Sequence, residues 1–317
     1  MSIPSYCEIT NLMRINSLYS FLILLLIQAP IVADSQGTLI LKKTEQELKR
    51  TFTLINQGET DSARLALSHE FQKQFRMALS IPGSVKYPWD SLKNVAKIES
   101  PDGLFRLYNW NVPLISGSNR YFCLFQFKGS LKKIPAMALS DFSDSVSEPG
   151  YFNGDSLHWY GALYYKVIPF EMKNKKTAYI LLGWDGISRE ISGKLIEVLA
   201  FDDNGAPKFG ASVFPDYQDG KLQRIIFRFS SSAGMSLRYK FQTLPGKAVW
   251  NSKKREYTTE TESRWMIVFD HLMPLDPQLE GQYKLYVSAS ESAEGFVYEN
   301  YSWNYVREFD ARNPETR

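Results

Sequence analysis

The stretch HWYGALYYKVIPFEMKNKKTAYILLGWDG, residues 158–186, decides the fold. Two runs rich in aromatic and β-branched residues, 158–168 and 177–182, flank the polar MKNKK. Short apolar runs separated by turn chemistry read as paired antiparallel strands, with Lys173, Lys175 and Lys176 at a solvated hairpin tip. Working outward, the same pattern recurs in residues 104–110, 121–128, 194–201, 208–213, 222–229, 236–241, 264–269, 282–289, 295–298 and 303–309. Pro101-Asp102-Gly103, Asp203-Asn204-Gly205 and Asp219-Gly220 supply joints that tolerate positive φ or local side-chain bonding. The expected fold is mainly β, an antiparallel meander of about twelve strands forming a sandwich or barrel-like core. A β-propeller is the alternative: SPDGLFR at Ser100–Arg106 resembles the strand opening of bacterial propeller blades, but further copies at about 40-residue spacing are missing. Residues 131–155, with Pro135, Pro149 and Gly150, break the rhythm and read as a long loop or lid.

Upstream the period changes. Thr44-Glu45-Gln46-Glu47 has capping-box form, and Leu48, Phe52 and Ile55 follow at helical spacing before Gly58. A second helix over 61–80 carries Leu67, Phe71, Phe75, Ala78 and Leu79 on one face and stops at Pro82-Gly83. His69 lies about 200° round from Leu67 and points to solvent. The pattern divides the chain into residues 34–92, a helical pair, and 93–317, the β-rich part.

The first 33 residues fix the expected compartment. SFLILLLI at 20–27, preceded by Arg14 and followed by Ala33, has the parts of an export signal cleaved near Ala33. The apolar run is shorter than a bilayer span, so no stable membrane span is expected after cleavage. Residues 1–12 carry Glu8 and no Lys or Arg, which makes Met13 an alternative start to Met1. Cys7 precedes the apolar run, so no lipidation cysteine follows it. Cys123 alone would survive cleavage, which excludes an internal disulfide and reads as a small buried hydrophobe. An exported chain of this size without disulfides suits a Gram-negative envelope, periplasmic or outer. The net charge of +3 offers no footprint for a nucleic acid.

No motif names a reaction. There is no Gly-x-Ser-x-Gly elbow for a nucleophile. His69, His158 and His271 are scattered without HExxH or CxxC spacing, so neither a metal site nor a cofactor is expected. Asp185 in Gly183-Trp184-Asp185-Gly186 is the first carboxylate to consider, because it ends an apolar run beside a Trp and glycines that admit a ligand to the backbone. The bland alternative is an ordinary turn with a side-chain acceptor. Asp270 and His271 end the run 265–269 at a sheet rim, yet neighbours on a strand point to opposite faces, so only one can face a given pocket unless the chain bends. Trp159, Trp184 and Trp303 sit next to polar residues and are candidates to stack on a ligand, with burial between sheets as the competing account.

PGSVKYPWDSL (82–92), SPDGLFRLYNWN (100–111), YGALYYKVIP (160–169), YILLGWDG (179–186) and FDHLMP (269–274), in that order, resemble a set of exported, functionally uncharacterised proteins of Gram-negative bacteria. The resemblance covers most of the mature chain and implies an envelope location. It brings no catalytic residues.

The leading expectation is a non-catalytic envelope binding or structural protein with a glycan, peptide or protein ligand. The rival is an envelope hydrolase that acts on a glycan or peptide through carboxylates at a sheet rim. A deep pocket holding two carboxyl groups about 5 to 10 Å apart would favour hydrolysis. A shallow aromatic strip would favour binding.

Overall fold

The computed structural model describes residues 37–128 and 136–309. The expected leader, including Cys7, Met13, Arg14 and Ala33, lies outside the described residues, as do positions 131–135 of the expected loop.

Helix α1 covers residues 37–57 and α2 spans Asp61–Ala78. The Thr60 side chain caps α2 by accepting from the Ala63 amide at 3.2 Å, satisfying one of the free donors of a first turn. The capping box at Thr44 does not start α1, because residues 37–43 are already helical. Glu45 is instead buried and accepts from Tyr87 Oη at 2.8 Å and the Ser91 amide at 2.7 Å. In α2, Ser68 takes a core position, with its Oγ accepting from Trp110 Nε1 at 2.8 Å. His69 is exposed, as its helical phase requires.

Among the described residues, thirteen strands form three antiparallel sheets, each built from one continuous stretch of chain. The first contains β1 (Ala96–Glu99), β2 (Phe105–Pro113), β3 (Asn119–Phe127) and β4 (Ala136–Leu139) in that order. The second contains β5 (Leu163–Glu171), β6 (Thr177–Asp185), β7 (Ile191–Phe201) and β8 (Pro207–Phe209), with β9 (Ile225–Ser230) also paired to β7. The third runs β10 (Leu237–Asn251), β11 (Glu256–Pro274), β12 (Tyr286–Glu299) and β13 (Ser302–Phe309). The MKNKK hairpin forms as expected: Lys175 has φ 64° and Phe170 pairs with Ala178. The separate strands expected over 282–289 and 295–298 merge into β12 from Tyr286 onward, after a 3-10 turn at Tyr283–Leu285. The short strands β1 and β4 and two 3-10 turns, Ser143–Ser145 and Pro149–Tyr151, occupy places where no strand was expected.

Alternation along each strand assigns its two faces to two different cores. On β2 and β3, Tyr108, Trp110, Val112, Phe122 and Leu124 meet Phe52, Phe71 and Phe75 of the helices. The opposite face, Phe105, Leu107, Cys123 and Phe125, packs on Tyr179, Leu181, Leu195 and Leu199 of the second sheet. The other face of that sheet, Ile180, Leu182, Ile196 and Val198, packs on Ile267, Phe269, Phe296 and Trp303 of the third. The layers are therefore helices, sheet, sheet, sheet: a sandwich-like α+β stack in which no sheet closes into a barrel. The propeller alternative gives way for a specific reason. Consecutive meanders do stack face to face, but the helices cover the outer face of the first sheet where a ring would have to close. SPDG is a single tight turn between β1 and β2, with Gly103 at φ 72° and its amide bonded to Ser100 O at 2.8 Å.

Candidate functional site

Asp185 is the last residue of β6 and faces the joint between the first and second sheets. It is 6% exposed. Its carboxylate accepts from Tyr121 Oη and Tyr160 Oη, each at 2.9 Å. The Gly186 amide donates to Tyr121 Oη at 2.7 Å, and Asn119 Nδ2 donates to Gly186 O at 2.8 Å. A side chain at 186 would run into Asn119 and the Trp184 ring, so glycine is required by close approach. Burial raises the Asp185 pKa above the ordinary carboxylate range, against the two tyrosine hydrogen bonds. Burial, and then the carboxylate, push both phenols upward, so they remain donors. The neighbouring Asp141 accepts from the Tyr121 amide at 2.8 Å. Beside these groups Asn109 exchanges hydrogen bonds with the Tyr164 backbone, and the fully buried Arg224 and Glu197 pair at 2.7 Å. Every donor and acceptor named around Asp185 belongs to the protein, and the arrangement clamps the first sheet to the second. The carboxylate chosen first from sequence lies buried in this joint between two tyrosines.

Asp270 and His271 lie elsewhere, on a cavity of about 490 Å³ at the rim of the third sheet. A register shift falls between Asp270 and Leu272, where β12 carries the extra residues between Ser288 and Ala293, and Asp270 and His271 both line the cavity. A second shift, between Ala293 and Gly295, falls where β12 presents Glu294. Bulges re-aim side chains in this way. His271 Nδ1 lies 3.0 Å from Glu294 Oε1; with the proton on Nδ1, Nε2 is the basic nitrogen. Burial and then its hydrogen bond to Glu294 raise the Tyr305 phenol. Burial, with Glu294 adding to it, pushes Tyr217 up to about 12. Phe227 and Phe269 line the apolar side and Arg307 and Asp216 the solvent side. The Asp270 carboxylate accepts from the Ser236 amide at 2.7 Å, which assigns it to holding β10 against β11.

Of the three tryptophans chosen as ligand platforms, Trp159 is 0% and Trp303 1% exposed. Trp159 donates to Tyr164 Oη at 2.8 Å inside the joint, and Trp303 packs against Phe170 and Tyr298. Trp184 is half-buried. Among the described residues the most exposed rings, Phe241, Trp250, Tyr257 and Trp265, are on β10 and β11. Phe241 stands opposite Trp265, which is 55% exposed and stacks on Tyr239 with centroids 5.1 Å apart. One cross-strand step further, Thr243 and Ser263 bond hydroxyl to hydroxyl at 2.8 Å. Because β12 joins β11 only from Met266 onward, residues 242–265 form a two-stranded arm beyond the sheet, about 30 Å long at the usual rise per residue. Near its end Trp250 pairs with Tyr257. The signal in the sequence was the polar run TTETESR at 258–264 beside Trp265: a strand polar on both faces has no layer to pack on.

Among the described residues, no group of three His, Cys, Asp or Glu side chains is placed to hold a metal ion, and no helix is long and apolar enough to cross a membrane. Cys123 is buried, which pushes its thiol upward and away from reactivity. No protein-family model, curated protein or solved structure matches the chain.

Proposed function

We propose that the chain is an exported, non-catalytic envelope protein that binds a glycan along the root of the β10–β11 arm. The observation that carries this reading is the ladder of half-buried Tyr239 and exposed Trp265 and Phe241, followed by the Thr243–Ser263 hydroxyl pair on the same face. The C–H face of a sugar ring is apolar and positively polarised and stacks on an aromatic face, while its hydroxyls need polar partners at the ring's edge. A ladder of rings ending in hydroxyls offers both. The envelope location rests on the leader-like residues 20–33 and on the family resemblance. A screen of glycans and peptidoglycan fragments against the protein should find a ligand whose affinity falls about tenfold, or about 1.4 kcal/mol, in Trp265→Ala. Absence of any glycan ligand, or undiminished affinity in Trp265→Ala, defeats the reading.

A second reading, an envelope hydrolase, draws on the two bulges that bring His271 and Glu294 to one cavity. A histidine oriented by a carboxylate has the form of a general base. Turnover of a glycan or peptide fragment that is lost in His271→Ala and kept in Trp265→Ala would establish it over binding.

A further inference from the structure

The crest of the arm carries a different chemistry from its root. Residues 252–255 turn between β10 and β11, and three of the four are Lys253, Lys254 and Arg255, all exposed. Arg255 has φ 52°, a left-handed conformation that closes the turn. Glu256 adjoins the turn, 3.9 Å from Lys254. Directly behind the turn stand Trp250 and Tyr257, 52% and 72% exposed, ring against ring at 5.1 Å. Among the described residues no third strand pairs with this part of the hairpin. An isolated two-stranded ribbon with large rings in water is a poor arrangement unless something covers it.

We infer that the crest of the β10–β11 arm docks on the headgroup layer of an anionic phospholipid bilayer. Charge complementarity selects the occupant. Three cations within one turn fall inside a single Debye length of the lipid phosphates, and each lysine or arginine held at an anionic surface favours binding about fivefold. Trp and Tyr are the side chains that settle at the boundary between headgroups and acyl chains, with an apolar body and a polar tip. The arm lies along the surface rather than pointing into it, because a cationic crest has no place in hydrocarbon. In that pose the rings reach the interface while the long Lys and Arg side chains stay among the phosphates. A duplex nucleic acid or a soluble polyanion without rings would be drawn by the cations but would have less use for the aromatic pair.

The inference is independent of the glycan reading, which concerns the root of the arm. The test is co-sedimentation of the full chain with neutral phosphatidylcholine vesicles and with vesicles containing 30% phosphatidylglycerol, at low salt and in 0.5 M salt. The wild-type protein should prefer the anionic vesicles at least tenfold at low salt and lose that preference in high salt. The triple variant Lys253→Gln, Lys254→Gln, Arg255→Gln should lose it at low salt, with an unchanged far-ultraviolet spectrum and melting curve. Trp250→Ser with Tyr257→Ser should lower anionic-vesicle binding severalfold without altering retention on heparin beads. Trp265→Ala should leave vesicle binding intact, which separates failure at the crest from failure at the root. Equal binding to both vesicle types, or a preference that survives the triple variant, would overturn the inference. So would loss of heparin retention and vesicle binding in parallel in the aromatic variant, which would mark recognition of polyanions in general.

Discussion

Trp303 and Trp265 belong to the same sheet and meet opposite fates. Trp303 on β13 is 1% exposed beneath Phe170 of the second sheet; Trp265 on β11 is 55% exposed where the second sheet no longer covers the third. The difference is the presence or absence of a facing layer. In the body each strand has a layer on both sides or a partner at its edge, and its aromatics contribute stability. In the arm the same residue types pair across two strands but have no facing layer, and the ligands proposed above would cover them.

The largest expected effect that sharpens this contrast lies in the body's polar joint. Glu197→Ala leaves Arg224 buried without its carboxylate, and urea unfolding should show a loss of about 3–5 kcal/mol. Trp303→Ala opens a cavity against Phe170, Tyr298 and Tyr239, at a cost of about 3–5 kcal/mol by the same measurement. Trp265→Ala should change stability by no more than about 0.5 kcal/mol; a loss as large as that of Trp303→Ala would break the distinction between body and arm. The smallest effect is a change in pH dependence at Asp185→Asn. The folded-state pKa of Asp185 lies above its unfolded value, so the folded state favours the protonated acid. Its contribution is full below the ordinary carboxylate range and is lost as pH rises through the raised pKa. Stability measured from pH 4 to 7 should therefore fall less with rising pH in the variant than in the wild-type protein. An unchanged slope would mean that Asp185 is not fastened as an acid between the sheets.

Local chemistry made much of the fold legible. The MKNKK tip, the SPDG turn and the helical faces of Phe52, Phe71 and Phe75 follow from φ preferences and periodicity, which are properties of a few neighbouring residues. The functional elements were harder to read because their signals are non-local. Trp159, Trp265 and Trp303 each sit beside polar residues in the sequence, and only the extent of the neighbouring sheet decides which ring is covered. Asp185 looked like a rim carboxylate because the two tyrosines that enclose it are 64 and 25 residues away. Alternation alone would separate Asp270 from His271; the cavity that both line lies beside a register shift that residue type does not announce. Glu294 carried no signal at all, since its meaning depends on the second bulge.

That each sheet is one unbroken stretch of chain has a consequence for how the molecule assembles. Most pairings join strands adjacent in sequence, and such short-range contacts close small loops at low entropic cost and form quickly. The first meander can find its helical cover before the third has been synthesised, and each later meander then finds a finished surface to condense on. The slow events should be the dockings between layers, above all the one that must desolvate Asp185, Glu197 and Arg224 together. The polar joint that fastens the finished molecule is thus also the step at which a nascent chain would wait.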